Sequence, residues 1–442
     1  MNRQKLSGVA TTFLQRRYGV SLGRRYVLAA ASVVLFSVLG CSQVSGSTNS
    51  LTQSDLHYSE TPLPKKILIS DQKLVDANNR FGFKLFSQIL QKNSSEDNIF
   101  LSPSSIAIAL SMAYNGASGS TQQEMAKTLE LQGMSLPEIN SAYATLKGLL
   151  ENPDPQVQLT IANSLWANQQ ATLQPNFIQS IQDLYKAPVK KLDFEDGASA
   201  NTINKWVEDS TRGKITKIVE QIPPEQVLFL INAIYFKGQW SSKFDKSQTA
   251  KHPFRLISGE QKQHPMMSQT GEYKYYENDQ FQAVSLPYGE DGKISFYIFL
   301  PKQESDLPTF YENFNFDNWE KLISQLRNRD GFIRLPRFKT DYDVTLNDAL
   351  KALGMSEAFS NQANFSGIGN HVKISQVKHK TFVEVNEEGT EASAATSVGM
   401  VARAFREKPE PFRMIVDRPF FCAIRDHQTG SILFMGVITD PQ

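Results

Sequence analysis

Ten consecutive residues, Val227-Leu228-Phe229-Leu230-Ile231-Asn232-Ala233-Ile234-Tyr235-Phe236, are almost uninterruptedly apolar. A strand with one wet face alternates apolar and polar side chains, so this run fits a strand covered on both faces. Ile294-Ser295-Phe296-Tyr297-Ile298-Phe299-Leu300 reads the same way, and strand-like segments surround Phe420 and Phe434. Helical spacing lies earlier: Ala77, Phe81, Leu85 and Ile89 recur every fourth residue, and Thr345 to Leu353 reads as a second, short helix stopped by Gly354. Helices thus gather in the first half and strands in the second, without regular βαβ alternation, which predicts an α+β fold. With 442 residues, 40% of them hydrophobic and 21% charged, the chain is long and apolar enough to bury such a sheet.

The N-terminal segment is of another kind. Arg24-Arg25 precede an apolar run from Val27 to Gly40 that is too short to span a bilayer comfortably and ends at Cys41. Residues 1–40 are therefore expected to be an export signal. Val38-Leu39-Gly40-Cys41 resembles a bacterial lipobox, in which the thiol becomes lipidated, although Leu39 is bulkier than usual there; Arg24-Arg25-Tyr26-Val27-Leu28 also resembles a weak twin-arginine signal. An uncut signal-anchor helix is the competing reading. Residues 41–70 open with a Ser/Gly/Thr/Asn tract and read as a flexible tether, while residues 71–442 show no comparable linker and no repeat and read as one domain. The mature protein is expected outside the cytoplasm, periplasmic, lipid-anchored or extracellular, meeting a membrane only through a lipid on Cys41.

Several function classes drop out. Lys plus Arg total 46 against 45 acidic residues, and the basic residues do not cluster with aromatics, so neither nucleic acid nor a bare membrane surface is indicated. The chain has no Gly-x-Ser-x-Gly, His-Glu-x-x-His, Walker or Gly-x-Gly-x-x-Gly motif. None of its six histidines has another His or a Cys at metal-ligand spacing. Cys41 and Cys422 are the only cysteines and form no disulfide framework; Cys422, in Phe420-Phe421-Cys422-Ala423-Ile424, acts as a small hydrophobe. No enzyme, cofactor or metal is expected.

One segment stands apart, running from Asn386 through Glu387-Glu388-Gly389-Thr390-Glu391-Ala392-Ser393-Ala394 to Arg403. At period two, Thr390, Ala392, Ala394, Thr396, Val398, Met400 and Ala402 form one face, and Glu391, Ser393, Ala395, Ser397 and Gly399 the other. It could be a loop or a strand. Side chains this small would let it slip between two strands already packed, whereas a bulky or charged residue on the buried face would block it.

The motifs now agree. Asn98-Ile99-Phe100-Leu101-Ser102-Pro103-Ser104-Ser105-Ile106, Asn232-Ala233-Ile234-Tyr235-Phe236-Lys237-Gly238-Gln239-Trp240, Pro265-Met266-Met267, Leu335-Pro336-Arg337-Phe338, the stretch His379 to Ala392, Asp417-Arg418-Pro419-Phe420 and Leu433-Phe434-Met435-Gly436 together resemble the serpins, a family of serine protease inhibitors, along essentially all of Asp71 to Gln442. The resemblance implies three β-sheets, about nine helices and an exposed reactive-centre loop from roughly Glu388 to Pro411.

It also implies a mechanism. A target serine protease, with a cysteine protease as the second class, cleaves the loop and forms an acyl-enzyme. The freed loop then inserts into the central sheet and traps the protease. Glu387, Glu388, Gly389, Thr390, Glu391, Ala392, Ser393 and Ala394 form the hinge by this resemblance, and Ser102, Ser105, Asn232 and His379, with Trp240, control sheet opening. The family's usual spacing from the hinge glycine puts the scissile bond at Arg403-Ala404, with Arg406 as runner-up, and an Arg there implies a trypsin-like target. A monomer is expected. The alternative is a non-inhibitory serpin acting as a binding protein or chaperone; such members tend to carry bulky or charged residues or Pro in the hinge, and this hinge has none beyond the family's acidic positions.

Overall fold

The structure, a computed structural model, describes residues 68–442 apart from 94–95, 152, 304–309, 312–313 and 391–409. Helix α1 (Ile69–Lys92) carries Ala77, Phe81, Leu85 and Ile89 on its buried face, and the Asp71 carboxylate accepts the Leu68 N–H at 2.8 Å to close its first turn. After it come α2 (Pro103–Tyr114), α3 (Gly119–Thr128), α4 (Leu136–Leu150), α5 (Pro175–Tyr185), α6 (Ala198–Ser210), α7 (Phe316–Ile323) and α8 (Asn347–Ala352), so the described residues hold eight α-helices. The short helix expected from Thr345 begins later, because Thr345 ends a strand and pairs with Lys378.

Strands β10 (Phe338–Thr345), β11 (Ile374–Asn386), β12 (Gly389–Thr390), β4 (Leu228–Gln239), β2 (Val157–Asn168) and β3 (Val189–Leu192) form, in that order, a six-stranded sheet. The apolar run lies in β4, and its two faces go to two cores. Leu228, Leu230, Ile234 and Phe236 join the main core, whereas Phe229, Ile231, Ala233 and Tyr235 pack with Ile203 and Val207 of α6. Asn232 is the polar exception on the main-core face.

A nine-stranded network runs β1 (Ile99–Leu101), β15 (Ile432–Ile438), β14 (Phe420–Asp426), β8 (Ile294–Pro301), β7 (Phe281–Tyr288), β6 (Gln261–Glu277), β9 (Arg327–Pro336), β13 (Phe412–Ile415), with β5 (Ala250–Arg255) beside β6. Three sheets were expected, and the strands are joined here into two hydrogen-bonded networks because β6 is 17 residues long. It pairs with β5 at Gln261 to Met266, with β9 at Met266 to Tyr275 and with β7 at Lys274 to Glu277.

Candidate functional site

β11 and β4 run parallel and stay paired from Ile374–Leu228 to Phe382–Tyr235. Beyond that point β12 lies between them: Thr390 pairs with Gly238 and Val385, and Gly389 with Gln239 and Asn386, antiparallel to both neighbours. The chain therefore doubles back after β11 and drives a two-residue wedge into the end of the seam. Only glycine fits the turn. Gly389 has φ +145°, and a Cβ there would overlap the Gly238 carbonyl oxygen.

Side chains hold the wedge. Thr390 is fully buried, and its Oγ1 lies 2.7 Å from the Tyr288 hydroxyl. Trp240 stacks on Tyr288 with ring centroids 4.4 Å apart, donates its backbone N–H to the Glu388 carbonyl and its Nε1–H to the Asn386 carbonyl. The Glu388 carboxylate sits 2.9 Å from both Lys246 and Lys243, which hold its pKa below the usual carboxylate value. Glu387 is buried, accepts from Thr249 Oγ1 at 2.8 Å and lies 3.7 Å from Arg337. An exposed loop was expected from Glu388; this is corrected at Gly389 and Thr390, which are buried strand residues. The reason is the backbone approach that Gly389 permits.

Farther along the seam, five residues meet. The Ser102 N–H donates to His379 Nε2 at 3.1 Å, so the ring proton sits on Nδ1 and points to Asn232 Oδ1, 2.5 Å away. The Asn232 amide donates to Ser105 Oγ and to Asn163 Oδ1. Asn232 and His379 occupy paired positions on β4 and β11, while Ser102 caps α2, its Oγ accepting the Ser105 N–H at 3.3 Å. The cluster thus ties both strands to the helix beneath them. Complete burial pushes the His379 pKa down to about 3, so the ring is neutral.

Trp240, grouped with that cluster from the sequence, lies instead against the hinge. Asn163 and Tyr288 were missed. Asn163 had a signal, a polar residue in an otherwise strand-like run, whereas Tyr288 had none because its partner stands 102 positions away. Cys41, Glu391, Ala392, Ser393, Ala394, Arg403, Ala404 and Arg406 lie outside the described residues. Among the described residues no group of three or more His, Cys, Asp or Glu could hold a metal, and no helix is long and apolar enough to cross a membrane.

The comparisons with known proteins agree with this geometry. A family model described as Serpin (serine protease inhibitor) matches residues 76–441. An uncharacterized serpin-like protein of Thermococcus kodakarensis is 35% identical over 437 residues, covering 95% of this chain and 99% of the relative. Leukocyte elastase inhibitor A of Mus musculus is 35% identical over 385 residues, 84% of this chain and all of the relative. The crystal structure of the thermophilic serpin tengpin in its native state superposes with a TM-score of 0.77 at 30% identity, covering 86% of this chain and 96% of that one. Missing catalytic motifs do not decide whether the chain is an enzyme; the family it matches is described as one of serine protease inhibitors.

Proposed function

Since the chain belongs to the serpin family, we propose that it is a suicide-substrate inhibitor of a trypsin-like serine protease. The observation that carries this reading is the two-residue wedge β12, with Thr390 buried between β11 and β4. A loop whose first residues already pair with both neighbours continues into the seam by extending the same antiparallel register. The protease cleaves at Arg403-Ala404 and is held as an acyl-enzyme; its own serine and histidine do the chemistry, and the inhibitor supplies strand addition. Incubation with trypsin should give a covalent complex on a denaturing gel, and mass spectrometry of the released C-terminal fragment should find it starting at Ala404. A fragment starting at Glu407 moves the site to Arg406, and cleavage with no complex favours the non-inhibitory reading.

On the same reading the mature protein begins at Cys41, is lipidated there and works outside the cytoplasm on the 41–70 tether. Cys41→Ser should release it from membranes; unchanged membrane association defeats the lipoprotein reading.

A further inference from the structure

A cavity of about 170 Å³ lies between α2, α4, α5 and β2, and Asn163, which accepts from Asn232 at the seam, is among its lining residues. Its apolar wall comes from Ile108, Leu159, Ile161 and Leu184. Tyr143 and Tyr185 complete it, their ring centroids 5.8 Å apart and tilted by 47°. Both hydroxyls are already engaged, Tyr143 with Ser111 and Asn78 and Tyr185 with Asn115 and Asn140. What the tyrosines offer an occupant is therefore ring carbon. An apolar cavity of comparable size, ~150 Å³, takes up benzene, so the space suits one aromatic ring.

The polar side of the cavity carries two lysines, Lys147 and Lys186, against one carboxylate, Glu151, beside Thr160 and Asn163. Lys147 donates to the Tyr185 carbonyl at 3.0 Å and lies 3.5 Å from Glu151, which neutralises part of its charge. Lys186 has no partner among the described residues and lines the same cavity. Its backbone is left-handed, φ +52°, at the C-cap of α5, a position where Gly or Asn is the unstrained choice. A lysine kept there at a conformational cost puts an unpaired ammonium beside an aromatic-sized hole.

We propose that this cavity is a binding site for a small aromatic monocarboxylate, its ring between Tyr143, Tyr185 and the aliphatic wall and its carboxylate on Lys186. The site is separate from the reactive loop, and the proposal does not depend on protease inhibition. The probe is 3-phenylpropionate, titrated calorimetrically into the full chain, with 2-phenylethylamine as the cationic counterpart. Saturable one-to-one binding of the acid and none of the amine is expected. Lys186→Asn, which relaxes the left-handed residue and should leave the melting temperature unchanged or higher, should weaken acid binding at least threefold. Ile161→Trp, made at a half-buried position, should fill the space and abolish binding; should it fail to fold, Lys186→Asn decides alone. Absence of saturable binding, equal binding of the amine, or a Lys186→Asn effect below threefold overturns the proposal.

Discussion

Thr390 and Tyr288 meet at 2.7 Å in the buried end of the β11–β4 seam, so the first residue of the loop's small-residue face already has an interior hydrogen bond. Thr390→Arg would place an unpaired guanidinium there, at a cost on the order of several kcal/mol. The expected result is a substrate: the loop is cleaved at an unchanged rate and no covalent complex forms. Glu391→Arg, on the other face of the alternation, should do far less. If the two variants trap trypsin equally well, the buried face has been misassigned.

Gly389→Ala tests the wedge itself. The added Cβ meets the Gly238 carbonyl, and at φ +145° alanine is strained. A loss of about 1–3 kcal/mol in native stability is expected. Limited proteolysis should also cut the chain near Asn386 to Thr390 faster than in the parent. Equal protection would mean that β12 does not hold this segment in solution.

His379 predicts a pH dependence. Its folded pKa of about 3 lies below the ordinary 6.5, so between these values the native state binds fewer protons than the unfolded chain. The stability it contributes is complete above about pH 6.5 and is lost as pH falls toward 3, with a slope of up to about 1.4 kcal/mol per unit. Denaturant unfolding at pH 7 and pH 5 should show a smaller acid loss in His379→Gln than in the parent. Parallel losses would assign the acid sensitivity to other groups, such as His427, whose burial lowers its pKa to about 4.

Extending the register of β12 by six residues brings Thr396 opposite both Asn232 and His379. On the proposed mechanism, insertion there would separate the Asn232–His379 hydrogen bond, and a threonine hydroxyl would take its place. Cleavage within 401–406 should therefore raise the thermal midpoint rather than lower it, and Thr396→Val should remove about 1 kcal/mol of the gain. A lower midpoint for the cleaved form would count against insertion altogether.

Much of this architecture was legible because it rests on local pattern. The run at Val227 reads as a strand covered twice, and β4 does give alternate residues to two cores. Docking of the hinge was not legible. It depends on Tyr288 and Trp240, which reach Thr390 and Asn386 only in the folded chain, and on a glycine whose need for close approach is invisible until Gly238 stands beside it. The joining of strands through β6 escaped for the same reason: its three successive partners are a property of topology.

The wedge also changes the kinetics expected of strand addition. Starting a strand between two others ordinarily requires an entropically costly nucleus, in which a loop is closed and several dihedrals are fixed before pairing repays them. Here β12 is that nucleus, formed while the chain is intact. On the proposed mechanism, cleavage would leave only propagation to be completed, parting the β11–β4 pairs one at a time from Phe382–Tyr235 onward. In a race against hydrolysis of the acyl-enzyme, a zipper already engaged at its first teeth starts ahead.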